Sequence, residues 1–478
     1  MEYDILIIGA GITGCMIAHK LARYRLCTAV VERCCDIAMG ATGANSAIAH
    51  AGYDPAPGTL KAALNAKGAA QLPALTKQLD IGYKQIGSLV VAFGEDEMDG
   101  LRRLIRQGEQ NGVPDLALLD RTHLRELEPN ISENAYAALY APTGGIVCPY
   151  GLAIAAAEHA AVNCTDFYFD FPVRSITHAD GVFTVGDGQR TLRARIVINA
   201  AGTHADEMAS LAGERDFPAI STPRRGEYML LDKSMGSLVR HTLFALPGKL
   251  GKGILLSPTV DGNLIVGPNS HAVPKDDIAT TAAGLAEVAA GASRLVRSLN
   301  TRTVITQFAG VRPNCVLNDF YIAPSEQIPG LLHAAGIESP GLASSPAVAD
   351  YVLERLRDMG VRMEERDDYL EHRPPQIRFR ELSDEQKRAV IAENPAYGKV
   401  ICRCETITEG EILDAIRRPL GARTLDMVKR RTRAGMGRCQ GGFCSPRVTD
   451  LLARELGIFL AAVTKRGGDS FLLTGSER

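Results

Sequence analysis

Residues 4–14 read DILIIGAGITG, an apolar run that passes directly into a glycine-rich turn. An apolar-periodic segment follows over residues 15–23, and a second apolar run over residues 27–31 ends in Glu32. Strand, glycine turn, helix, strand and acid, in that order, form the βαβ unit that binds the ADP half of a dinucleotide. The stretch therefore predicts a Rossmann-like α/β domain at the start of the chain.

The glycines of this turn have separate physical roles. Gly9 makes the tight turn, Gly11 lets the backbone approach a pyrophosphate, and Gly14 lets the helix pack closely on the strand. The helix N-terminus, at Ile12 and Thr13, offers N–H groups and a positive dipole end to the phosphates. The acid after the second strand can accept hydrogen bonds from a ribose. Because NAD and FAD share the ADP half, this unit alone leaves the choice of cofactor open.

The composition is that of an ordinary globular protein, and 478 residues predict about two to four domains. The formal net charge of −2 argues against a general nucleic-acid-binding protein. No uninterrupted apolar stretch of about 18 residues occurs, so we expect no transmembrane helix. The first strand leaves no room for a signal peptide. We expect a cytoplasmic protein that reaches the inner face of a membrane only through a partner.

The middle of the chain alternates between strand and turn patterns. Residues 192–200 form another apolar run, which leads into a tight turn at 201–202 and which we expect to return to the dinucleotide-binding sheet. Short strands are expected at residues 170–173 and 182–185. The repeated strands and turns of residues 218–268 predict an antiparallel sheet in a second domain.

Three segments resemble the D-amino-acid-oxidase-like superfamily of FAD-dependent oxidoreductases: the N-terminal glycine unit, VINAAG at residues 197–202, and GIESPGL at residues 336–342. The resemblance spans residues 1 to about 360. It implies an FAD cofactor, with the backbone N–H groups of the third segment facing the pyrimidine end of the flavin. Reduced flavin carries negative charge there, which N–H donors or a helix N-terminus stabilise.

The same resemblance implies how residues 1–375 are divided. It places FAD-binding parts at about residues 1–80, 145–215 and 305–365, and an antiparallel-sheet substrate domain at about residues 81–144 and 216–304. The residues it implies for cofactor binding are Gly9, Gly11, Ile12, Thr13, Gly14, Glu32, Arg33, Thr42, Asn45, Ser46, Val173, Ala201, Gly202, Gly336, Ile337, Gly341 and Leu342.

Three further motifs narrow the resemblance to one branch of the superfamily. They are NSAIAHAG at residues 45–52, RRGEY at residues 224–228 and GVRP at residues 310–313. They resemble the branch that contains glycerol-3-phosphate dehydrogenases and oxidases and L-2-hydroxyglutarate oxidases. Both groups oxidise an alcohol on an anionic substrate, and the motifs do not separate them.

The branch implies a small set of catalytic residues. His50 matches the family's active-site histidine, which suits a base for the hydroxyl proton; otherwise it is a polar residue in a cofactor-binding loop. Arg312 matches the substrate arginine, whose planar fork suits a carboxylate or phosphate. Lys252 is a candidate second charge or a solvated surface lysine, and Ser339 and Arg225 are further candidates. A phosphate needs more donors than a carboxylate, so this set mildly favours glycerol 3-phosphate.

Four of the eleven cysteines cluster near the C-terminus, as Cys402 with Cys404 and Cys439 with Cys444. Clustered thiolates in a cytosolic chain indicate a metal site rather than disulfides. Four cysteines hold either zinc or a [2Fe–2S] cluster. The layout resembles the bacterioferritin-associated-ferredoxin-like [2Fe–2S] domain, which is found fused to flavin dehydrogenases of this superfamily. We therefore expect residues 376–478 to form a linker and a small helical iron–sulfur domain.

Helix-start signals surround these cysteines. Capping boxes at residues 383–386 and 408–411 predict two helices. Ser445 and Pro446 are expected as the N-cap and first residue of another. The cysteines would then lie on loops near helix N-termini, where N–H groups point toward a negatively charged cluster.

An attached iron–sulfur cluster suggests that electrons leave singly, to an acceptor protein or a quinone-linked subunit, so we expect a dehydrogenase rather than an oxidase. The basic run at residues 429–431, with Arg433 and Arg438, is either a docking site for an acidic partner or a solvated face. The leading hypothesis is an FAD and [2Fe–2S] dehydrogenase that oxidises sn-glycerol 3-phosphate to dihydroxyacetone phosphate by hydride transfer to flavin N5. The alternatives are an L-2-hydroxyglutarate-type dehydrogenase, an amino-acid or imino-acid dehydrogenase, and a non-catalytic electron-relay subunit, which would need neither His50 nor Arg312.

Overall fold

The computed structural model describes residues 2–218, 220, 223–246 and 253–473. The strands within these residues are β1 (Glu2–Ile8), β2 (Thr28–Val31), β3 (Ile48–Ala49), β4 (Tyr83–Lys84), β5 (Ser88–Ala92), β6 (Ala117–Asp120), β7 (Ala137–Ala141), β8 (Gly145–Val147), β9 (Asp166–Tyr168), β10 (Ser175–Ala179), β11 (Val182–Gly186), β12 (Thr191–Asn199), β13 (Arg224–Leu231), β14 (Thr242–Ala245), β15 (Leu255–Pro258), β16 (Leu264–Val266), β17 (His271–Ala272), β18 (Val304–Arg312), β19 (Tyr321–Pro324), β20 (Leu331–Ala335), β21 (Val400–Cys402) and β22 (Ile407–Thr408).

The α-helices connect and cover these strands. They are α1 (Ile12–Leu21), α2 (Leu60–Gln78), α3 (Met98–Gln110), α4 (Arg121–Leu127), α5 (Pro149–Val162), α6 (Ala205–Leu211), α7 (Ala282–Leu295), α8 (Gly341–Asp358), α9 (Asp384–Glu393), α10 (Glu409–Arg417), α11 (Leu425–Thr432) and α12 (Ser445–Leu456). Of the helices in the described part of the chain, none is long and apolar enough to cross a membrane.

The first sheet is Rossmann-like, as predicted. Its main path is β10-β11-β12-β1-β2-β9, and β20 pairs with β12 in parallel. The central strand β1 runs parallel to both neighbours, with Ile7 opposite Ile198 on β12 and Val30 on β2. The predicted return of residues 192–200 to this sheet is confirmed. Helices α1, α5 and α8 bury their apolar faces in one core with β1, so the glycine turn rests on a rigid base.

One strand prediction in this region is wrong. Residues 170–173 form no strand, and the chain passes through them from β9 to β10. Asp170 has a φ of 50°, which is left-handed backbone that no strand continues through. The amide of Phe171 donates instead to the carbonyl oxygen of Glu32, at 2.9 Å. Phe171 is buried and Val173 is half-buried in a loop beside the first sheet, and neither is paired in the sheet.

The second sheet is the predicted antiparallel domain, although one of its pairings, β5 with β14, is parallel. Its order is β17-β13-β16-β15-β14-β5-β7-β6, with β18 pairing along the other side of β13. The register of β13 and β18 places Arg224 directly opposite Arg312 at one end of the pair. A smaller sheet, β3-β8-β4, carries the chain into the loop that begins with His50.

The C-terminal part has its own apolar core, in which Ile412, Val428 and Leu452 are fully buried. The capping boxes of α9 and α10 form as predicted, each with both hydrogen bonds present. The expected N-cap of α12 is wrong by one residue: Cys444 occupies the cap position without a side-chain cap bond, and Pro446 is the second helical residue. The cysteine therefore lies at the start of that helix, where N–H groups are free to face its sulfur.

Buried ion pairs fix this C-terminal part onto the rest of the chain. Asp36, fully buried after β2, accepts hydrogen bonds from both Arg430 and Arg431 of α11, the latter at 2.8 Å. Arg433 pairs at 2.8 Å with Asp261 and with Glu405, the residue after Cys404. Both interpretations of the basic run, an external docking site and a solvated face, are therefore wrong for these three arginines. Intrachain carboxylates already occupy them.

Candidate active site

The glycine turn has the close contacts that its sequence predicts. Gly9 has a φ of 107°, and a Cβ there would lie 2.6 Å from the carbonyl oxygen of Ala200. A Cβ on Gly14 would lie 1.9 Å from the carbonyl oxygen of Gly9, so a larger residue would push α1 off the turn. At Gly11 a Cβ would meet only the Thr42 hydroxyl, at 3.3 Å. Gly11 therefore faces the loop before β3 and not the sheet. This orientation lets a ligand come close to the Gly11 backbone.

Glu32 supports the turn from the end of β2. Its carboxylate accepts hydrogen bonds from the amides of Ala10, at 2.8 Å, and Cys34, at 3.0 Å, one on each oxygen. Each carboxylate oxygen can accept a second bond, so the geometry leaves capacity for a ribose hydroxyl. The amide of Ile12, at the N-terminus of α1, donates to the Thr42 hydroxyl at 2.9 Å. Cofactor binding by these residues stays a prediction.

Other predicted cofactor residues lie farther from the turn. The Arg33 guanidinium lies 3.5 Å from a carboxylate oxygen of Asp276, and Val173 packs against the core of the first sheet. Ala201 and Gly202 follow β12 directly, and Gly202 has a φ of 58°. Gly336 has a φ of 65°, and a Cβ there would lie 2.8 Å from the Cβ of Cys315. Only glycine fits at position 336 without displacing the loop that contains Cys315.

Many of the predicted site residues line one cavity of about 780 Å³. Helix α8 begins at its wall, so the positive end of a helix points into the space. The predicted residues that line the cavity are Ile12, Thr42, Asn45, Ser46, His50, Arg312, Ile337, Ser339, Gly341 and Leu342. Lys252 lies outside the described residues, although the neighbouring Gly253 lines the cavity.

His50 is held at this cavity wall from two directions. Its ring lies against Phe244, with 5.6 Å between ring centroids. Its backbone carbonyl accepts a hydrogen bond of 2.9 Å from the side chain of Asn65 on α2. The imidazole is therefore positioned by the second sheet and by a helix of the first domain together.

Arg312 reaches the cavity beside a residue that the sequence did not single out, Arg224. The two guanidinium groups converge on Ser270: Arg312 donates to its hydroxyl at 3.0 Å, and Arg224 donates to its hydroxyl at 2.8 Å and its carbonyl at 2.9 Å. Among the described residues no carboxylate forms a salt bridge with either arginine. The absence of a side chain at Gly226 makes space for the Arg312 guanidinium, because a Cβ there would lie 2.7 Å from an Arg312 nitrogen. These two adjacent guanidinium groups, neither of them in a salt bridge with a described carboxylate, are the main anion-binding feature of the cavity.

Arg225, a further candidate from the sequence, is not part of this site. It is buried, and its guanidinium pairs with Asp277 at 2.7 Å and with Glu227 at 3.2 Å. Neighbouring residues of a strand point to opposite faces, so only one arginine of the RR pair can face the cavity. The pairing with two carboxylates makes Arg225 a structural residue, and the prediction for it is wrong.

Two other side chains shape the cavity. Lys61 pairs with Glu338 at 2.6 Å, so its charge is already compensated and it adds no anion clamp. Burial raises the pKa of Tyr228, although nearby Arg312 opposes the shift. The Tyr228 phenol is therefore neutral at physiological pH and can donate a hydrogen bond into the cavity.

The four C-terminal cysteines form two pairs. The sulfurs of Cys404 and Cys439 lie 3.7 Å apart, and Cys402 with Cys444 forms a second, buried pair. The pKa of Cys402 is lowered to about 6, because its thiolate accepts hydrogen bonds from Cys444 and from the amide of Gly435. Together the two pairs provide the four thiolates with which either a zinc ion or a [2Fe–2S] cluster can be held.

Glycines let the cysteine loops come this close. A Cβ on Gly437 would lie 2.3 Å from the Cβ of Cys404, and Gly435 and Gly441 have φ values of 90° and 91°. Backbone N–H groups, the largest effect coming from Phe443, lower the pKa of Cys439. The glycines thus let the loops come close to a bound cluster, and the backbone N–H groups can donate hydrogen bonds to its sulfur atoms.

Comparison with known proteins identifies both parts of the chain. Residues 4–355 match the family model described as FAD dependent oxidoreductase. The chain belongs to that family. Residues 400–454 of this FAD-dependent oxidoreductase match the BFD-like [2Fe-2S] binding domain. FAD and a [2Fe–2S] cluster are thus its cofactors, as predicted.

Individual relatives extend the comparison. The oxidoreductase is 45% identical over 477 residues to a protein of Caloramator mitchellensis named glycerol 3-phosphate dehydrogenase. The aligned region covers 100% of this chain and 99% of that relative. The oxidoreductase is 31% identical over 285 residues to human mitochondrial L-2-hydroxyglutarate dehydrogenase, covering 56% of this chain and 61% of the relative. A solved structure of L-alpha-glycerophosphate oxidase from Mycoplasma pneumoniae with FAD bound has a TM-score of 0.75 and 29% identity, covering 79% of this chain and all of that one.

Proposed function

We propose that the protein oxidises sn-glycerol 3-phosphate to dihydroxyacetone phosphate. The observation that carries this proposal is the pair Arg224 and Arg312, which converge on Ser270 in the cavity. Two adjacent positive charges suit one doubly charged phosphate better than the two separated carboxylates of 2-hydroxyglutarate. The relatives named for glycerol 3-phosphate, one of them matched over its full length, support the same substrate.

His50 is the proposed base. An imidazole nitrogen at the cavity wall takes the hydroxyl proton while the hydrogen on the same carbon leaves as hydride. FAD, when bound, supplies the hydride acceptor. Phe244 and Asn65 keep the His50 loop in place, so the base needs little reorganisation. Ser339 is proposed as a further donor to the substrate, and Lys252 as a further cation.

The electrons are proposed to leave through the [2Fe–2S] cluster to an external acceptor, which makes the enzyme a dehydrogenase. The cluster loop reaches the main body where the Tyr150 hydroxyl lies 3.5 Å from the sulfur of Met436, the residue after Gly435. Buried ion pairs such as Asp36–Arg431 hold the two parts together, so their separation would be constant during turnover. The proposed division of the chain, residues 1–375 and 376–478, puts one cofactor in each part.

Anaerobic flavin bleaching with a substrate panel tests the proposal. The purified holoenzyme is mixed separately with glycerol 3-phosphate, L-2-hydroxyglutarate, glycerol and a set of L-amino acids, and flavin absorbance is followed. Rapid bleaching by glycerol 3-phosphate, far slower bleaching by glycerol, and none by the others is the expected result.

Each other outcome supports a named alternative. Bleaching by L-2-hydroxyglutarate but not by glycerol 3-phosphate would assign the enzyme to 2-hydroxyacids. Bleaching by amino acids alone would assign it to C–N oxidation. Bleaching by no member of the panel, with His50→Asn and Arg312→Gln leaving every electron-transfer activity unchanged, would support the relay subunit.

A further inference from the structure

Phe443 is an exposed aromatic residue next to the proposed cluster site. It lies between the two ligand cysteines Cys439 and Cys444, and 86% of its surface is accessible, the highest fraction among the exposed large apolar residues of the described chain. A single exposed phenylalanine is common on protein surfaces and indicates nothing by itself. Here the backbone on either side of it holds the cysteine loops, and Cys404, paired with Cys439, is exposed as well. The cluster site therefore reaches the surface beside this ring.

Exposed arginines lie on the cysteine segments beside Phe443. Arg403 stands between Cys402 and Cys404, and Arg447 lies one helical turn after Cys444; both are exposed. In contrast to the buried arginines of α11, neither forms an ion pair with any described residue. Arg438 precedes Cys439 and pairs with Asp232, yet its side chain remains 75% exposed.

We propose that this region, which we call the acceptor surface (Arg403, Cys404, Arg438, Phe443 and Arg447), docks an acidic one-electron acceptor protein. The inference rests on the proposed function, because it requires that electrons leave through the cluster. Aromatic and arginine side chains are the residues enriched at protein interfaces, and an exposed ring at the centre of a charged rim is typical of a small, transient one. Positive charge around the ring selects a partner whose docking face is acidic and speeds the encounter.

The electron balance fixes the stoichiometry. Oxidation of one substrate molecule releases two electrons and two protons, and each docking event passes one electron to the metal centre of the acceptor. Two acceptor molecules are therefore reduced for each substrate molecule oxidised, and the protons go to solvent.

Two model acceptors of opposite charge test the surface without knowledge of the natural partner. The holoenzyme is reduced with dithionite, freed of excess reductant, and mixed anaerobically with plant plastocyanin, which is acidic, or with mitochondrial cytochrome c, which is basic. At low ionic strength we expect plastocyanin to be reduced at least about tenfold faster, and this advantage to fall as salt is added. The double variant Arg403→Glu/Arg447→Glu should reverse the order of the two acceptors.

Matched substitutions separate the acceptor surface from the rest of the domain. Phe443→Ser should slow plastocyanin reduction at every salt concentration, since it removes a packing contact rather than a charge. Phe459→Ser is its control, because Phe459 is 76% exposed but lies beyond the other end of α12, about 18 Å along the helix. Arg423→Glu, an exposed arginine elsewhere in the domain, is the charge control. Iron content and the visible spectrum confirm that each variant holds its cluster.

The proposal is overturned if plastocyanin is reduced no faster than cytochrome c, or if the two control variants have the same effects as the acceptor-surface variants. Failure of the proposed function would appear separately. Because dithionite reduces the cluster without substrate, the acceptor test gives its answer even if glycerol 3-phosphate does not bleach the flavin.

Discussion

Replacing Arg224 with glutamine tests the anion site most selectively. The substitution removes one of two guanidinium groups that converge on Ser270 and leaves a shorter, uncharged polar side chain. A hydrogen bond to a charged group contributes about 1.5–3 kcal/mol, so kcat/KM for glycerol 3-phosphate should fall about 10- to 150-fold. Glycerol has no phosphate, and its slow oxidation should be unchanged.

The free protein should respond differently from the complex. Arg224 and Arg312 occupy directly opposite positions on β13 and β18, where like charges repel. Removing one charge should therefore leave the melting temperature unchanged or raise it. Stopped-flow flavin bleaching with both substrates, together with a thermal melt, measures both effects.

Arg225→Gln is the matched control one residue away. It leaves Asp277 and the fully buried Glu227 without their cation, so it should lower the melting temperature while the KM for glycerol 3-phosphate changes little. Equal losses with glycerol and glycerol 3-phosphate in Arg224→Gln, or a KM effect confined to Arg225→Gln, would refute the assignment of the phosphate to Arg224 and Arg312.

Three further predictions concern the base, the cluster loop and the domain contact. His50→Asn should slow anaerobic flavin reduction by about 10²- to 10⁴-fold while FAD content stays the same, and an undiminished rate would remove His50 from the chemistry. Gly437→Ala should lower the iron content of the purified protein, because its Cβ would lie 2.3 Å from that of Cys404, and full cluster loading would contradict the loop geometry. Asp36→Asn should lower the free energy of unfolding by about 3–5 kcal/mol, because it leaves Arg430 and Arg431 without their shared carboxylate. The control is Asp99→Asn, which breaks an exposed pair with Arg102 and should lower the free energy of unfolding by less than about 1 kcal/mol. Denaturant unfolding of both variants measures the difference.

The sequence was most informative where the physics is local. The turn at Gly9 and Gly14, the capping boxes of α9 and α10, and the alternation that builds the second sheet all depend on residues a few positions apart. The family resemblance added the placement of His50 and Arg312, and the structure brings both to one cavity. These features were predictable because neighbouring residues or a motif encode them.

What the sequence missed depends on contacts between distant residues. Arg224 joins the site only because the register of β13 and β18 sets it opposite Arg312, 88 positions later in the chain. The strand alternation in RRGEY required one arginine to face inward, but no local signal indicated which one. The carboxylates that occupy the basic run of α11 lie at Asp36 and Asp261, far back in the chain. Only the folded arrangement decides whether such a run faces a partner, solvent or its own protein.

An anaerobic titration with glycerol 3-phosphate tests most directly whether substrate oxidation in this cavity feeds both cofactors. Flavin absorbance and the electron paramagnetic resonance signal of the reduced cluster are followed together as substrate is added. Full reduction should require about 1.5 molecules of glycerol 3-phosphate per chain, because FAD takes two electrons and a [2Fe–2S] cluster takes one. Flavin bleaching complete at one molecule per chain, with the cluster still oxidised, would contradict the electron route, and no bleaching at any concentration would contradict the substrate.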